Sequence, residues 1–248
     1  MITSNPIQIL LKNEKNIEII KSPVKYEILD LLKDKEMNFE EIVENTSKTK
    51  AATSLHLKDL REAGIVNYRP DPTDNRKKIF YLNSKMLGSI DDRNIKLENS
   101  SKKLVLDLIN EKNVPFNLLL IHILKTSLIE YGIEFNPLLI TVGNHIGEYI
   151  FEKVHDNDFD RFLENLSRYW AENNLGFLSF NVKNTIEIMC VKNFESLKME
   201  KTDLPQCHIV KGIFEEIFTR YFNIKINVEE FMCHGAGDEI CLFEVKPF

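Results

Sequence analysis

The sequence predicts an α+β fold built in two unlike parts, on three observations. Over 22–82 the apolar residues recur first at helical spacing and then alternate on either side of a dense turn cluster. Beyond Pro115, helical stripes come first and alternating segments second, the order of an α+β domain. The four cysteines, Cys190, Cys207, Cys233 and Cys241, all fall in the last 59 residues, so the two parts differ in chemistry as well as in pattern. The expected boundaries are 1–88 for the first part, 89–114 for a connector and 115–248 for the second part.

In the first part, Ser22-Pro23 places an N-cap before a proline at the first helical position, and Val24, Ile28, Leu31 and Leu32 form the stripe that follows. Asn38 caps a short second helix with Phe39, Ile42 and Val43 on its apolar face, and Glu41 completes a capping box. A third helix starts at Ser47 or Thr49, carries Ala52, Leu55, Leu57 and Leu60, and stops at Ala63-Gly64, where glycine suits the C-cap. Ile65 to Tyr68 alternates like a strand, 70–75 is a Pro-Asp-Pro-Thr-Asp-Asn turn cluster, and Lys78 to Leu82 returns. Three helices and a hairpin make the winged helix-turn-helix plan, with helices two and three as the reading pair.

In that plan the third helix enters the major groove by its N-terminal end. Lys50, Thr53 and Ser54 are then expected at base edges, and Lys48 and Thr49 close to phosphates. Lys58 and Arg61 would follow the backbone, and Arg76, Lys77 and Lys78 at the hairpin would reach phosphates or the minor groove. The expected partner is double-stranded DNA. The net charge of −6 argues against this only on average, because 48–78 carries eight basic residues against four acidic ones. The run Ser54-x-His56-Leu57-Lys58-x-Leu60-Arg61-x-Ala63-Gly64 closely resembles the recognition helix and wing entry of ArsR-type transcriptional regulators. Metal-sensing members of that group often place cysteine pairs on the recognition helix. No cysteine precedes Cys190 here, so sensing is expected elsewhere in the chain.

Between the parts, Leu97, Leu104, Val105, Leu108 and Ile109 form an amphipathic stripe, read as a connector helix that joins two copies into a homodimer. The second part opens with an apolar helix over 118–128. A second helix follows from Asn136-Pro137, with Gly143 and Gly147 allowing close helix approach, and a third over 159–171. Strands are expected at 175–180, 185–191, 224–234 and 239–245, with a helix over 206–222 between the two pairs.

The cysteines carry the chemistry of this part. In a last hairpin centred on Gly237, Cys233 would face Cys241 and Phe231 would face Phe243, unless a bulge shifts the register. Cys207 begins a helix, whose N-terminus favours a thiolate. Three readings stand open. The thiols form a redox switch by disulfide exchange; they hold Zn²⁺ as Cys207, Cys233 and Cys241 with His208 or His234 as fourth ligand; or they are buried apolar fillers. Cys190, mid-strand, is either buried or joins a second pair with Cys207.

The residues Cys207, Gly212 and Cys233-x-x-x-Gly237-x-x-x-Cys241-x-Phe243 resemble the vinyl-4-reductase-type domain over 115–248. A winged helix fused to such a domain looks like the redox-responsive transcription regulators of methanogens. The resemblance implies that the sensory cysteines switch DNA binding. The domain is also similar in fold to ligand-binding modules of Golgi transport that have an apolar pocket, which implies a small apolar ligand within the phenylalanine-rich interior.

Other classes find little support. No apolar run approaches the ~18 residues of a membrane span and no secretory signal is evident, so a cytoplasmic protein is expected. No nucleophile–base–orienter set, phosphate-binding glycine loop or His-Glu-x-x-His is present, so the chain reads as a regulator rather than an enzyme.

Overall fold

The computed structural model describes residues 8–90, 106, 116–196 and 205–247. The connector stripe lies outside the described residues. They divide into two units, one ending at Ile90 but also taking in Gly132–Phe135, the other holding the remainder from Phe116 onward.

The first unit forms as its caps dictate. Helix α1 (Pro23–Asp34) is capped by Ser22, whose side chain accepts from Lys25 N. Helix α2 (Phe39–Asn45) has the full capping box, Glu41 N to Asn38 Oδ1 at 3.0 Å and Asn38 N to Glu41 Oε2 at 2.7 Å. Helix α3 (Lys50–Glu62) starts at Thr49, not Ser47, with Ala52 N donating to Thr49 Oγ1. Gly64, at φ +71°, ends α3 while Ile65 N returns to Leu60 O at 2.9 Å, a turn that a side chain at that φ would strain. Strands β4 (Val66–Pro70) and β5 (Lys78–Leu82) then form the hairpin, with Tyr68 opposite Phe80, and β3 (Met37–Asn38) pairs with β5. Ile28, Ile42, Leu57, Leu60 and Ile65 are buried together beneath it.

A second sheet in this unit was not expected. Strands β1 (Gln8–Lys12), β2 (Ile17–Ile20), β6 (Lys85–Ile90) and β7 (Ile133–Glu134) pair antiparallel in the order β2-β1-β6-β7. Asn13 organises the β1–β2 turn: its Oδ1 accepts from Lys15 N and Asn16 N, and its Nδ2 donates to Ala63 O at 2.8 Å. Gly132–Phe135, read from the sequence as part of the second domain, belongs by its pairing to the first.

The second unit holds α4 (Phe116–Glu130), α5 (Asn136–Val154), α6 (Phe159–Glu172) and α7 (His208–Phe222). Its antiparallel sheet runs β10-β11-β9-β8, from β8 (Phe177–Val182), β9 (Ile186–Val191), β10 (Ile226–Met232) and β11 (Cys241–Pro247). Helices α5 and α7 cross at backbone distance. A Cβ on Gly143 would overlap Ile209 O, and one on Gly212 would overlap Ile140 O. The core beneath is aromatic, with Trp170 stacked on Phe214 at 5.1 Å and Phe214 edge-on to Phe243 at 5.3 Å. Among the described residues, no helix is long and apolar enough to cross a membrane.

Strand β10 carries a bulge. Glu230 opposes Phe243, while Met232 opposes Leu242, leaving Phe231 as an extra residue that is 57% exposed. The facing of Phe231 and Phe243 expected from the sequence is therefore not formed. The register assumed for Cys233 and Cys241 does hold at Met232–Leu242, the last ladder pair before them.

Candidate metal centre and nucleic-acid interface

On the first unit, a groove of ≈ 480 Å³ runs between α3 and the hairpin. Ser54, Lys58 and Arg61 line it from the helix, and Arg76, Lys77 and Lys78 from the hairpin. Tyr68 joins the two walls. Arg61 Cζ lies 4.2 Å from its ring centroid and Lys78 Nζ 4.3 Å, so one aromatic ring holds two cations of the basic surface. Lys48, Thr49 and Lys50 are exposed at the N-terminal end of α3, where Thr49 also serves as the cap. Lys58 pairs with Glu62 and Arg76 with Asp74, both at the surface.

Thr53 is a correction. Its side chain is 0% exposed and its Oγ1 lies 3.4 Å from Thr46 Oγ1. Thr53 shares the inward phase of Leu57 and Leu60, so it packs α3 against the unit and cannot reach a base edge.

On the second unit, three elements bring three cysteines together. Cys207 is the N-cap residue of α7, Cys233 follows β10 and Cys241 opens β11. Cys207 Sγ lies 3.7 Å from Cys233 Sγ and 3.6 Å from Cys241 Sγ. The fourth member is Glu230, and one ligand atom from each of the four falls within 4.8 Å of the others. The bulge explains its presence. In a regular strand residues three apart face opposite sides, whereas the extra residue at Phe231 returns Glu230 and Cys233 to the same face. Glu230 Oε2 accepts from Cys207 N at 3.2 Å, and its Oε1 is buried without a hydrogen-bond partner.

Each sulfur also receives a donor. Asn193 Nδ2 donates to Cys207 Sγ at 3.2 Å, Gln206 N to Cys233 Sγ at 3.3 Å, and His234 N to Cys241 Sγ at 3.4 Å. Ser196 Oγ is a further 3.2 Å neighbour of Cys241 Sγ. Hydrogen bonds from Cys207, Cys233, Ser196 and His234 N draw the Cys241 thiol down to about 3. Burial, and donation towards Cys233 and Cys241, push Cys207 well above the usual thiol value. Burial lifts Glu230 to about 8. Of Cys207 and Cys241, the latter is therefore the one whose surroundings favour the thiolate. This corrects the expectation that the helix N-terminus makes Cys207 the thiolate: its sulfur makes no cap to α7 and is enclosed instead.

The expected histidine ligands are also corrected. Neither His208 nor His234 belongs to the four-residue group. His234 contributes its main chain, while its ring Nδ1 lies 3.1 Å from Asp238 O. His208 is held down to about 4, by burial first and then by Lys125 and Lys211. Cys190 stands opposite Cys241 in the β9–β11 register but outside the group, and burial pushes it up to about 12.

Because Cys207 does not cap α7, another residue does. Glu195 accepts from Ile209 N at 3.0 Å and from Val210 N at 2.9 Å, a carboxylate at the positive end of the helix. Lys125 of α4 neutralises it at 2.8 Å. Sequence reasoning missed Glu230, Glu195 and Lys125. The only local signal was the position of Glu230 just ahead of Cys233.

The donor set suits a soft divalent ion. With Zn–S bonds of about 2.3 Å, tetrahedral geometry sets sulfurs about 3.8 Å apart. The 3.6 and 3.7 Å separations match that edge, and a Glu230 carboxylate oxygen lies within 4.8 Å of all three sulfurs.

Comparison with known proteins agrees with both ends of the chain. Residues 22–68 match the bacterial regulatory protein, arsR family, and residues 186–247 match the vinyl-4-reductase-type domain. Over 158 residues, covering 60% of this chain and 90% of the relative, the sequence is 25% identical to an uncharacterised protein of Methanocaldococcus jannaschii. Among solved structures, a vinyl-4-reductase family protein from the same organism is similar at a TM-score of 0.40 and 16% identity, over 61% of this chain and 94% of that one. The phenol-responsive sensory domain of the transcription activator PoxR, with phenol, is similar at 0.40 and 13% identity, over 77% and 88%. The four residues of the thiol group all lie inside the second of the two matched segments. The chain thus carries an ArsR-family helix-turn-helix domain at its N-terminus and a vinyl-4-reductase-type domain at its C-terminus.

Proposed function

We propose that this protein is a DNA-binding transcription regulator whose C-terminal, vinyl-4-reductase-type domain is a sensory domain set by a zinc ion on Cys207, Glu230, Cys233 and Cys241. The observation that carries the reading is the pair of tetrahedral-edge sulfur separations beside an unpartnered buried carboxylate oxygen. Zinc would supply a fixed junction between the start of α7 and the β10–β11 hairpin, and so define one shape of the sheet. Ser54, Lys58, Arg61, Arg76, Lys77 and Lys78 bind the duplex in this reading, and a homodimer presents two copies of α3 to a site of dyad symmetry. The protein acts by binding, with no reaction assigned to it.

A redox response is a second reading, favoured by the 3.6 Å approach of Cys207 to the Cys241 thiolate. A hydroperoxide would take two electrons and the one remaining proton from this pair and a second proton from solvent, joining the sulfurs and leaving an alcohol and a water, or two waters from hydrogen peroxide. Two sulfur donors would then be lost and zinc released. The test is a DNA-binding titration on the full chain in three states: zinc-loaded, chelator-stripped under reducing conditions, and peroxide-treated. Zinc content is measured in each. Affinity that follows zinc content supports the zinc reading. A response to peroxide in protein that never held zinc favours the redox reading, and equal affinity in all three states rejects both.

A further inference from the structure

We propose that Lys125 and strand β7 carry the state of the thiol centre to the DNA-binding unit. The inference rests on the reading above, that this state alters DNA affinity.

The first half of the route is a buried network. Lys125 Nζ donates to Glu195 Oε1 at 2.8 Å and to Gln206 O at 2.6 Å. The lysine is 4% exposed and the glutamate 0%. Gln206 is shared: its carbonyl takes the ammonium, its N–H donates to Cys233 Sγ, and the next residue is Cys207. Rearranging the sulfurs therefore displaces the peptide that anchors Lys125. A buried ion pair is a poor source of net stability but a strong constraint on position, because neither charge can be left alone. The ammonium must follow Gln206 and Glu195, and α4 must follow the ammonium.

The second half is a strand of the first unit that the chain enters just after α4. Helix α4 ends at Glu130, and Ile133 and Glu134 then pair with Ile90 and Ser89 of β6. The chain returns to the second unit at Asn136. The contact of β7 with β6 is as close as glycine permits: a Cβ on Gly88 would overlap Glu134 O and stand 2.7 Å from Phe135 Cδ1. Only two residues separate β6 from the end of β5, and β5 begins with Lys78 of the basic groove. A shift of α4 thus pulls directly on a sheet continuous in sequence with the hairpin. Lys125 is a positioning residue here, touching neither metal nor DNA.

The experiment measures DNA affinity of the full chain by fluorescence anisotropy, zinc-loaded and chelator-stripped. The quantity read is the ratio of the two dissociation constants, and zinc stoichiometry is measured alongside it. Two variants act at opposite ends of the route. Lys125→Met with Glu195→Gln removes both buried charges together. Gly88→Ala displaces β7 and touches nothing in the second unit. Wild-type protein is expected to show a ratio of about tenfold or more. Both variants are expected to keep one zinc per chain with the ratio falling below about twofold. Backbone amides of 132–135 should change hydrogen exchange on stripping in the wild type and stay constant in the double variant. A variant that loads zinc and keeps the wild-type ratio overturns the proposal, and the signal then runs through the connector. If the double variant fails to fold, Gly88→Ala decides alone. A wild-type ratio of one overturns the functional reading, and this inference with it.

Discussion

Cys241 stands opposite Cys190 across β9 and β11, yet it shares its hydrogen-bonded sulfur group with Cys207, 3.6 Å away on another element. The two neighbours of Cys241 therefore have different fates. One is held at a junction of three elements, and the other is a buried thiol outside that group.

Zinc content should separate them. Cys190→Ala is expected to retain one zinc per chain, whereas Ser at Cys207, Cys233 or Cys241 should lose it, measured by metal analysis after gel filtration. Loss in the Cys190 variant alone would remove the centre assigned above.

The residues that donate to sulfur should tune affinity without abolishing it. Asn193→Ala and Ser196→Ala each leave one sulfur short of a donor. Each should weaken zinc binding by about 10–100-fold, read by competition with a chromophoric chelator. Unchanged affinity in both would mean that these contacts do not reach the metal.

The basic groove should behave as one surface. Replacing Arg76 and Lys77 by Ala is expected to lower DNA affinity and to flatten the salt dependence by about two units of slope. Tyr68→Ala frees both Arg61 and Lys78 and should weaken binding as well. Thr53→Val, buried beneath, should leave the salt slope unchanged. Equal slopes for wild type and the Arg76/Lys77 variant would take the hairpin off the duplex.

The α5–α7 crossing tolerates no side chain. Gly212→Ala must push Ile140 O away and part the helices. A loss of about 1–3 kcal/mol is expected in urea unfolding. Full stability in that variant would show that the helices do not cross this closely.

His122 gives the fold a pH dependence. Burial holds its imidazole below the ordinary 6.5, aided by Lys125 on the same helix and opposed by hydrogen bonds to Phe194 and Glu195. The folded state thus resists the proton that the unfolded chain accepts. The contribution is complete above about 6.5 and is lost as pH falls through the lower folded value. His208 shifts in the same direction and stays in place as an internal reference. His122→Gln, which keeps a donor for Phe194 O, should lose less stability than wild type between about pH 7.5 and 5. Parallel curves would exclude His122 as the source.

Much of the first unit was legible because its signals are local. Ser22, Asn38 and Thr49 each cap the helix that follows them, and Gly64 ends α3 with a φ available to few residues. The three-thiol group was legible from the clustering of cysteines in one region. What escaped is non-local. Strands β1, β2 and β7 have two to five residues, and β7 meets its partner 43 residues away at the nearest pair, Ile90 and Ile133. Lys125 and Glu195 are 70 residues apart, and neither has a neighbour in sequence that announces the other. Thr53 was misplaced for a different reason. Its polarity suggests a base contact, while its phase with Leu57 and Leu60 points inward, and the phase decides.

The extra residue at Phe231 bears on how such a centre can arise or vanish. Since side-chain direction alternates with every residue, parity alone decides which face of β10 carries Glu230. A homologous strand bearing the same donors without that residue would send its carboxylate to the opposite side. In such a strand the residue two before the cysteine, not three, would share its face. A single inserted or deleted codon therefore joins or parts these two donors, Glu230 and Cys233, and an alignment that closes this gap silently would hide the event.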